Sequence, residues 1–315
     1  MFGHFTGILQ FFLIVSFLTG NALPLKFNSL DIEDGLSQNS VLSITQDSKG
    51  FLWLGTRDGL NRYNSHQFVV YKHSASDSAT LSDNYITALL SDTRGRLWVG
   101  TRNGLNLYDG QSNSFQRVKI KRPGAATGNL AISHLYEDRK GRIWVSCEGA
   151  LFVIGHEGSE KIKLIPLSAR RIVFRCVFQD KKGCFWIGTS SGILKLLERN
   201  NKFVRIVPEV PPGLRNVQVN SFFEDQVYNL WIGTSGNGLF LFSASGGGFR
   251  SFLHQNRNKN SLINNYVRRL LADGKGRLLI GTQEGLSVLN LTTHEFENYV
   301  HSPWDKNSLN QNSIH

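Results

Sequence analysis

A short string recurs along this chain at a spacing that few folds accommodate. It reads Trp53-Leu54-Gly55-Thr56, Trp98-Val99-Gly100-Thr101, Trp144-Val145-Ser146-Cys147, Trp186-Ile187-Gly188-Thr189, Trp231-Ile232-Gly233-Thr234 and Leu279-Ile280-Gly281-Thr282. Its first positions lie 45, 46, 42, 45 and 48 residues apart. An Asp stands six residues before each: Asp47, Asp92, Asp138, Asp180, Asp225 and Asp273. A Gly stands three residues before in every unit but the fifth, where Asn229 sits nearby. A period of about 40–45 residues is the size of one four-stranded propeller blade.

The second unit shows how such a blade is written. Ile86–Asp92 reads as a first strand, and Asp92-Thr93-Arg94-Gly95 as a tight turn in which the carboxylate accepts backbone N–H groups and Gly supplies a positive φ. Leu97–Thr101 is a second strand, Asn103-Gly104 a hairpin turn, Leu105–Tyr108 a third strand and Phe115–Val118 a fourth. No segment sustains a helical apolar period, so helices are expected to be scarce. One blade cannot bury both faces; stacking blades about an axis buries the repeat Trp side chains and leaves only short edges. The Gly within the second strand is expected to admit the Trp of the adjacent blade.

The fold class expected is therefore all-β: a β-propeller of four-stranded antiparallel blades, six complete repeats plus the start of a seventh, an incomplete seven-bladed ring. The blades fall at about residues 37–73, 81–121, 129–167, 170–208, 215–254 and 262–300, with a partial blade at 308–315, where Ser308–Ile314 echoes Gly35–Val41. A seventh unit starts and the chain stops, so the sequence is expected to be a truncated frame or the N-terminal piece of something longer. Phe27–Asp31 resembles a fourth strand and is expected to complete the last blade.

Composition excludes other classes. Apolar residues are 40% of the 315, with 21 Phe and six Trp, enough burial to offset ordering entropy. P-loop, dinucleotide, HExxH and CxxC signatures are absent from the sequence. Cys147, Cys176 and Cys184 make no disulfide framework; a local Cys176–Cys184 bridge and small buried thiols are both open readings. Residues 8–18 form an apolar run of 11, followed by Gly20 and Ala22, before the first charged side chain at Lys26. That run is shorter than the roughly 20 residues a membrane-spanning helix needs and matches a signal peptide at 1–22, leaving 23–315 as an exported, periplasmic domain.

These residues resemble the two-component regulator propeller repeat, most plainly in Asp34-Gly35-Leu36-Ser37, in Gly50–Tyr63 and in Gly95–Tyr108. The resemblance implies an exported sensor region. In that family it leads through further repeats and a small β-sandwich to one transmembrane helix and a histidine kinase or diguanylate cyclase output, dimeric in the parent protein. Sensors of this kind in gut Bacteroidetes respond to glycan fragments. The third unit (Val145-Ser146-Cys147) and the sixth (Leu279 for Trp) depart from the pattern, so their blades are expected to be looser.

Candidate ligand residues come from the rim. Asn39, Asn84 and Asn265 stand fourteen residues before the repeat Trp or Leu, with Asn312 in the partial unit. They either hydrogen-bond a sugar or cap the turn into the strand. Arg57 and Arg102 follow the repeat Thr and can hold a carboxylate or sulfate bidentately, or simply face water. Tyr63, Tyr85, Tyr108 and Tyr266 can stack on sugar faces or belong to the core. The nine His show no shared periodic position, and nothing in the sequence points to a metal, a cofactor or catalytic residues.

The net charge of +11 is spread without a run of five, and an exported protein does not meet DNA, so no nucleic-acid partner is expected. The expected function is a sensory propeller for an oligosaccharide or anionic glycan, with no enzymatic activity in this chain. The alternatives are a protein-interaction scaffold or, further off, a polysaccharide lyase or glycosidase.

Overall fold

The computed structural model describes residues 25–120, 130–155, 162–165, 172–200, 202–206 and 210–314. The proposed signal at 1–22 lies outside the described residues. Six four-stranded antiparallel sheets stand in a ring. The first holds β1 (Val41–Gln46), β2 (Leu52–Thr56), β3 (Gly59–Tyr63) and β4 (Phe68–Tyr71); the second holds β5 (Ile86–Ser91), β6 (Leu97–Thr101), β7 (Gly104–Asp109) and β8 (Ser114–Val118). The third holds β9 (Ile132–Glu137), β10 (Ile143–Cys147), β11 (Ala150–Ile154) and β12 (Ile162–Leu164), and the fourth β13 (Phe174–Gln179), β14 (Phe185–Thr189), β15 (Gly192–Arg199) and β16 (Lys202–Ile206). The fifth holds β17 (Val219–Glu224), β18 (Leu230–Thr234), β19 (Leu239–Phe242) and β20 (Phe249–Phe252), and the sixth β21 (Val267–Ala272), β22 (Arg277–Thr282), β23 (Leu286–Asn290) and β24 (Phe296–Tyr299). The helices described are two single 3-10 turns, Ile32–Asp34 and Pro212–Leu214.

The repeat Trp side chains occupy the seams. Trp53, Trp98, Trp144 and Trp231 are at most 1% exposed, and Trp186 is 3% exposed. Each packs into a cluster shared with the following blade: Trp53 with Leu97, Val99 and Phe115, and Trp98 with Ile132, Val145 and Phe152. The Asp six residues upstream does more than shape its turn. Asp92 accepts the backbone N–H of Arg94 (3.1 Å) and Arg96 (2.8 Å) on one oxygen and the indole N–H of Trp98 (2.8 Å) on the other. The same indole bond recurs from Trp53 to Asp47, Trp144 to Asp138, Trp186 to Asp180 and Trp231 to Asp225. A fixed spacing of six thus satisfies a buried donor and a buried carboxylate together. In the sixth blade, where Leu279 supplies no donor, Arg277 Nε takes that oxygen of Asp273 at 2.6 Å.

Three expectations change. The strand-two Gly does not admit a neighbouring Trp. A Cβ on Gly55 would lie 2.5 Å from Ile86 Cγ2, one on Gly100 2.7 Å from Ile132 Cγ2, and one on Gly233 2.6 Å from Val267 Cγ1. The intruder is the β-branched first residue of the next blade's inner strand. Gly281 meets Ile314 at 2.7 Å in the same way, so the start of the seventh unit docks on the sixth blade as a full blade would. Phe27 does not complete the last blade, because β24 already fills its outer edge. Instead Phe27 N–H donates to Asn307 O (3.0 Å) and its ring meets Tyr299 edge-on, centroids 5.5 Å apart. Finally, three His do share a position: His73, His254 and His301 each precede a Leu by eight residues and an Asn by eleven. Their Nδ1 atoms bond the carbonyls of Leu81, Leu262 and Leu309 at 2.6–2.8 Å and brace the loop between blades.

The inner strands β1, β5, β9, β13, β17 and β21 surround an axial channel, and each packs on the next in sequence. β21 and β1 both line that channel yet lack the mutual packing of the other neighbouring pairs. Among the described residues none of the three cysteines forms a disulfide; Cys147 and Cys176 are buried, and burial pushes the Cys176 thiol up to about 12. Cys147 replaces the repeat Thr and keeps its role, its Sγ donating to Ala150 O at 3.2 Å where Thr56 and Thr101 donate to Gly59 O and Gly104 O.

Candidate functional site

Every inner strand carries a β-bulge after its first residue, and the bulged residues are Leu42, Thr87, Ser133, Arg175, Asn220 and Arg268. A bulge interrupts pairing and re-aims a side chain, which is why bulges gather beside functional sites. All six of these side chains line the channel or its mouth. Going round the ring, blades one to three place Leu, Thr and Ser there, whereas blades four to six place Arg, Asn and Arg.

The second half of the ring therefore builds a polar pocket at the mouth, a cavity of about 310 Å³. Its lining comprises Arg175, Arg268 and Arg269, the amides of Gln218, Asn220 and Gln283, and Ser235, Tyr266 and Leu42. Gln218 Nε2 donates to Asn220 Oδ1 (2.8 Å) and Ser235 Oγ (3.1 Å), and Asn220 Nδ2 donates to Val267 O (2.8 Å). Gln218 Oε1 in turn accepts Arg175 Nη2 at 3.0 Å. A neutral amide network thus fixes one guanidinium. Tyr266 is 50% exposed, its ring available to a ligand.

Arg269 occupies the third strand position, where the other blades carry Ser43, Ala88, His134, Cys176 and Ser221. It borders both the mouth pocket and a deeper channel cavity of about 300 Å³ that His134 also lines. It is open to water through the mouth and otherwise ringed by protein, and this enclosure, more than any charge, lowers its pKa; the Arg175 and Arg268 charges lower it further. Arg remains cationic regardless. Burial, with Arg269 adding to it, pushes His134 down to about 3, so that imidazole is neutral at ordinary pH.

The residues singled out from sequence lie on this same rim, at its edge. Asn84 Oδ1 accepts His73 N–H (2.6 Å), Asn265 Oδ1 accepts His254 N–H (2.7 Å), and Asn39 Oδ1 accepts Ile32 N–H (3.0 Å). Their carbonyl oxygens brace loops. Arg102 lies over the Tyr85 ring, 3.6 Å from its centroid, and Arg57 is exposed. Tyr63 stacks on Phe68 and Tyr108 packs against Trp53, so both serve the core. The Arg57 and Arg102 position is held in blades five and six by Ser235 and Gln283, which do line the pocket. Sequence reasoning found the rim and this turn position; the polar pocket opens on blades four to six, which it did not single out. The missing signal was the bulge register, in which Arg175 and Arg268 align.

The two component regulator propeller model matches five successive stretches, residues 35–58, 80–103, 127–149, 166–191 and 213–236. The chain belongs to the two-component regulator propeller family. This regulator propeller is 34% identical over 258 residues to histidine kinase P4 of Formosa agariphila, an alignment covering 77% of this chain and 18% of that protein. It superposes with a TM-score of 0.74 on an extracellular domain assigned to a hybrid two component system of B. thetaiotaomicron, at 25% identity, covering 92% of this chain and 38% of that one. Virginiamycin B lyase from Staphylococcus aureus shares the fold, with a TM-score of 0.64 at 14% identity over 83% of this chain and 84% of that one. The regulator propeller thus spans a minor part of the kinase and sensor chains it resembles. Among its described residues no helix is long and apolar enough to cross a membrane, and no group of three His, Cys, Asp or Glu side chains is placed to hold a metal ion.

Proposed function

We propose that this propeller is the extracytoplasmic sensing region of a two-component-type regulator, exported to the periplasm, and that it binds an oligosaccharide at the channel mouth and passes its occupancy to a kinase or cyclase output. The observation that carries this reading is the contrast around one ring: six equivalent bulges, three of them converted by Arg175, Asn220 and Arg268 into a polar pocket flanked by a half-exposed Tyr266. Amides and a tyrosine ring suit sugar hydroxyls and sugar faces. Arg57 and Arg102 on blades one and two stand round the same rim, placed to meet an extended ligand. A protein-interaction role is a second reading, favoured by Trp304, which is 94% exposed.

Calorimetric titration of the 315-residue chain with neutral and acidic oligosaccharides, with product analysis of the same mixtures, tests the proposal. Saturable binding without turnover is expected. Chain cleavage of the sugar would replace the sensor with a lyase or glycosidase. Absence of binding across the panel, with retention of a protein partner lost on Trp304→Ala, would establish the scaffold.

A further inference from the structure

We infer that the channel mouth bounded by Arg175, Arg268 and Arg269 is an oxyanion site, so that the sensed ligand carries a carboxylate or sulfate group which seats there; this rests on the oligosaccharide-sensing reading above. The first reason is electrostatic. Elsewhere in the ring three half-buried arginines sit against carboxylates, Arg96 against Asp92, Arg142 against Asp138 and Glu198, and Arg277 against Asp273, while half-buried Arg62 and Lys195 lie over aromatic rings. Arg175 and Arg269, exposed at the mouth, meet no carboxylate among the described residues. Arg175 donates to the neutral amide of Gln218, and Arg269 Nη1 donates to the backbone carbonyl of Arg268 at 3.1 Å. Among the described residues no acidic side chain lines either the mouth pocket or the deeper cavity. The carboxylates near this rim are placed elsewhere: Asp58 on Lys72, Asp83 on the Tyr85 N–H, and Glu148 and Glu284 in turns outside the lining.

The second reason is positional. Arg175 and Arg268 occupy the same bulge position on blades four and six, with the amide of Asn220 between them on blade five. Arg269 then replaces a residue that is small in most other blades. Convergent cations in a partly dehydrated mouth repel one another, a cost to folding that a bound anion removes. Guanidinium groups fixed by neutral acceptors keep their remaining N–H donors for a bidentate carboxylate or sulfate. Gln218, Asn220 and Gln283 supply the adjoining neutral contacts for the rest of a sugar ring.

The test is calorimetry on the 315-residue chain with tetragalacturonate (carboxylate), neocarratetraose sulfate (sulfate), cellotetraose (neutral) and sodium sulfate (no sugar). At least one acidic tetrasaccharide is expected to bind tenfold or more tightly than cellotetraose, and which one identifies the group. Arg175→Gln and Arg269→Gln are each expected to weaken it by about 10- to 100-fold. Arg269→Lys, which keeps the charge without the fork, falls between. Lys49→Gln, in the exposed Asp47 turn at the opposite rim, leaves the affinity unchanged, and thermal melts confirm that all variants fold. Equal binding of cellotetraose, indifferent to the arginine variants, would overturn the oxyanion site and leave sugar sensing standing. Arginine-dependent binding of sulfate with no tetrasaccharide bound would keep the site and remove the sugar. No binding of any probe at millimolar concentration would overturn both.

Discussion

The two rims of this ring obey different rules. At the rim of the strand one to strand two turns, every blade repeats one solution: an Asp that holds backbone N–H groups of its turn, two in five blades and that of Cys184 at Asp180, and an indole or guanidinium donor. At the opposite rim the backbone repeats, bulge for bulge, but the side chains do not. Leu42, Thr87 and Ser133 face Arg175, Asn220 and Arg268 across the channel. Chemistry repeated six times is architecture, since each seam must bury the same surface. Chemistry that breaks the repeat at a position the backbone keeps is where selection for a ligand can act.

The sharpest way to break that contrast is to remove an indole. Trp98→Ala empties a seam between the second and third blades and should cost about 3–5 kcal/mol, read from urea unfolding. A loss within about 0.5 kcal/mol would show that the seams do not hold the ring. Asp92→Ala comes next. It strands Trp98 Nε1 in a buried site and frees two turn N–H groups, for about 1–3 kcal/mol, while Asp92→Asn, which keeps an acceptor oxygen, should cost less.

Architecture of this kind is legible in sequence because its signal is local. The Asp-to-Trp spacing, the turn Gly and the hairpin dipeptide all lie within one blade, so reading one unit reads six. Contacts between units were harder. The strand-two Gly called for a close neighbour, but the sequence did not say which; the answer is Ile86, Ile132 or Val267 about 30 residues further on. The brace shared by His73, His254 and His301 was hidden because only some blades use it. The arginine cluster was hidden most deeply. Arg175 and Arg268 are 93 positions apart, and charge that is dispersed along the chain becomes concentrated once the ring brings blades four and six to one mouth.

The channel wall gives a subtler test. His134 is held neutral down to about pH 3 in the fold, while an unfolded His takes up its proton near pH 6.5. Between those values the unfolded chain binds more protons, so stability falls as pH drops from about 6.5 towards 3 and is flat above. His134→Gln should remove that component. Unfolding curves of the two proteins at pH 7 and pH 4 should therefore diverge less for the variant. Equal pH sensitivity in both would mean that the imidazole is solvated.

The smallest effect separates the rims most cleanly. Arg175→Gln and Arg269→Gln take one member from a set of like charges and leave the bulge and the blade seams intact. Their effect on unfolding should be within about 0.5 kcal/mol of zero, or slightly stabilising, because repulsion with the remaining arginines is relieved. A residue kept for the fold would not behave so; a gain on removal is the mark of a group retained for binding at some expense in stability. The gain should be larger at low salt, where screening between the guanidinium groups is weakest. If instead Arg269→Gln destabilises the ring as much as Asp92→Ala does, the cluster is part of the frame and the two rims follow one rule.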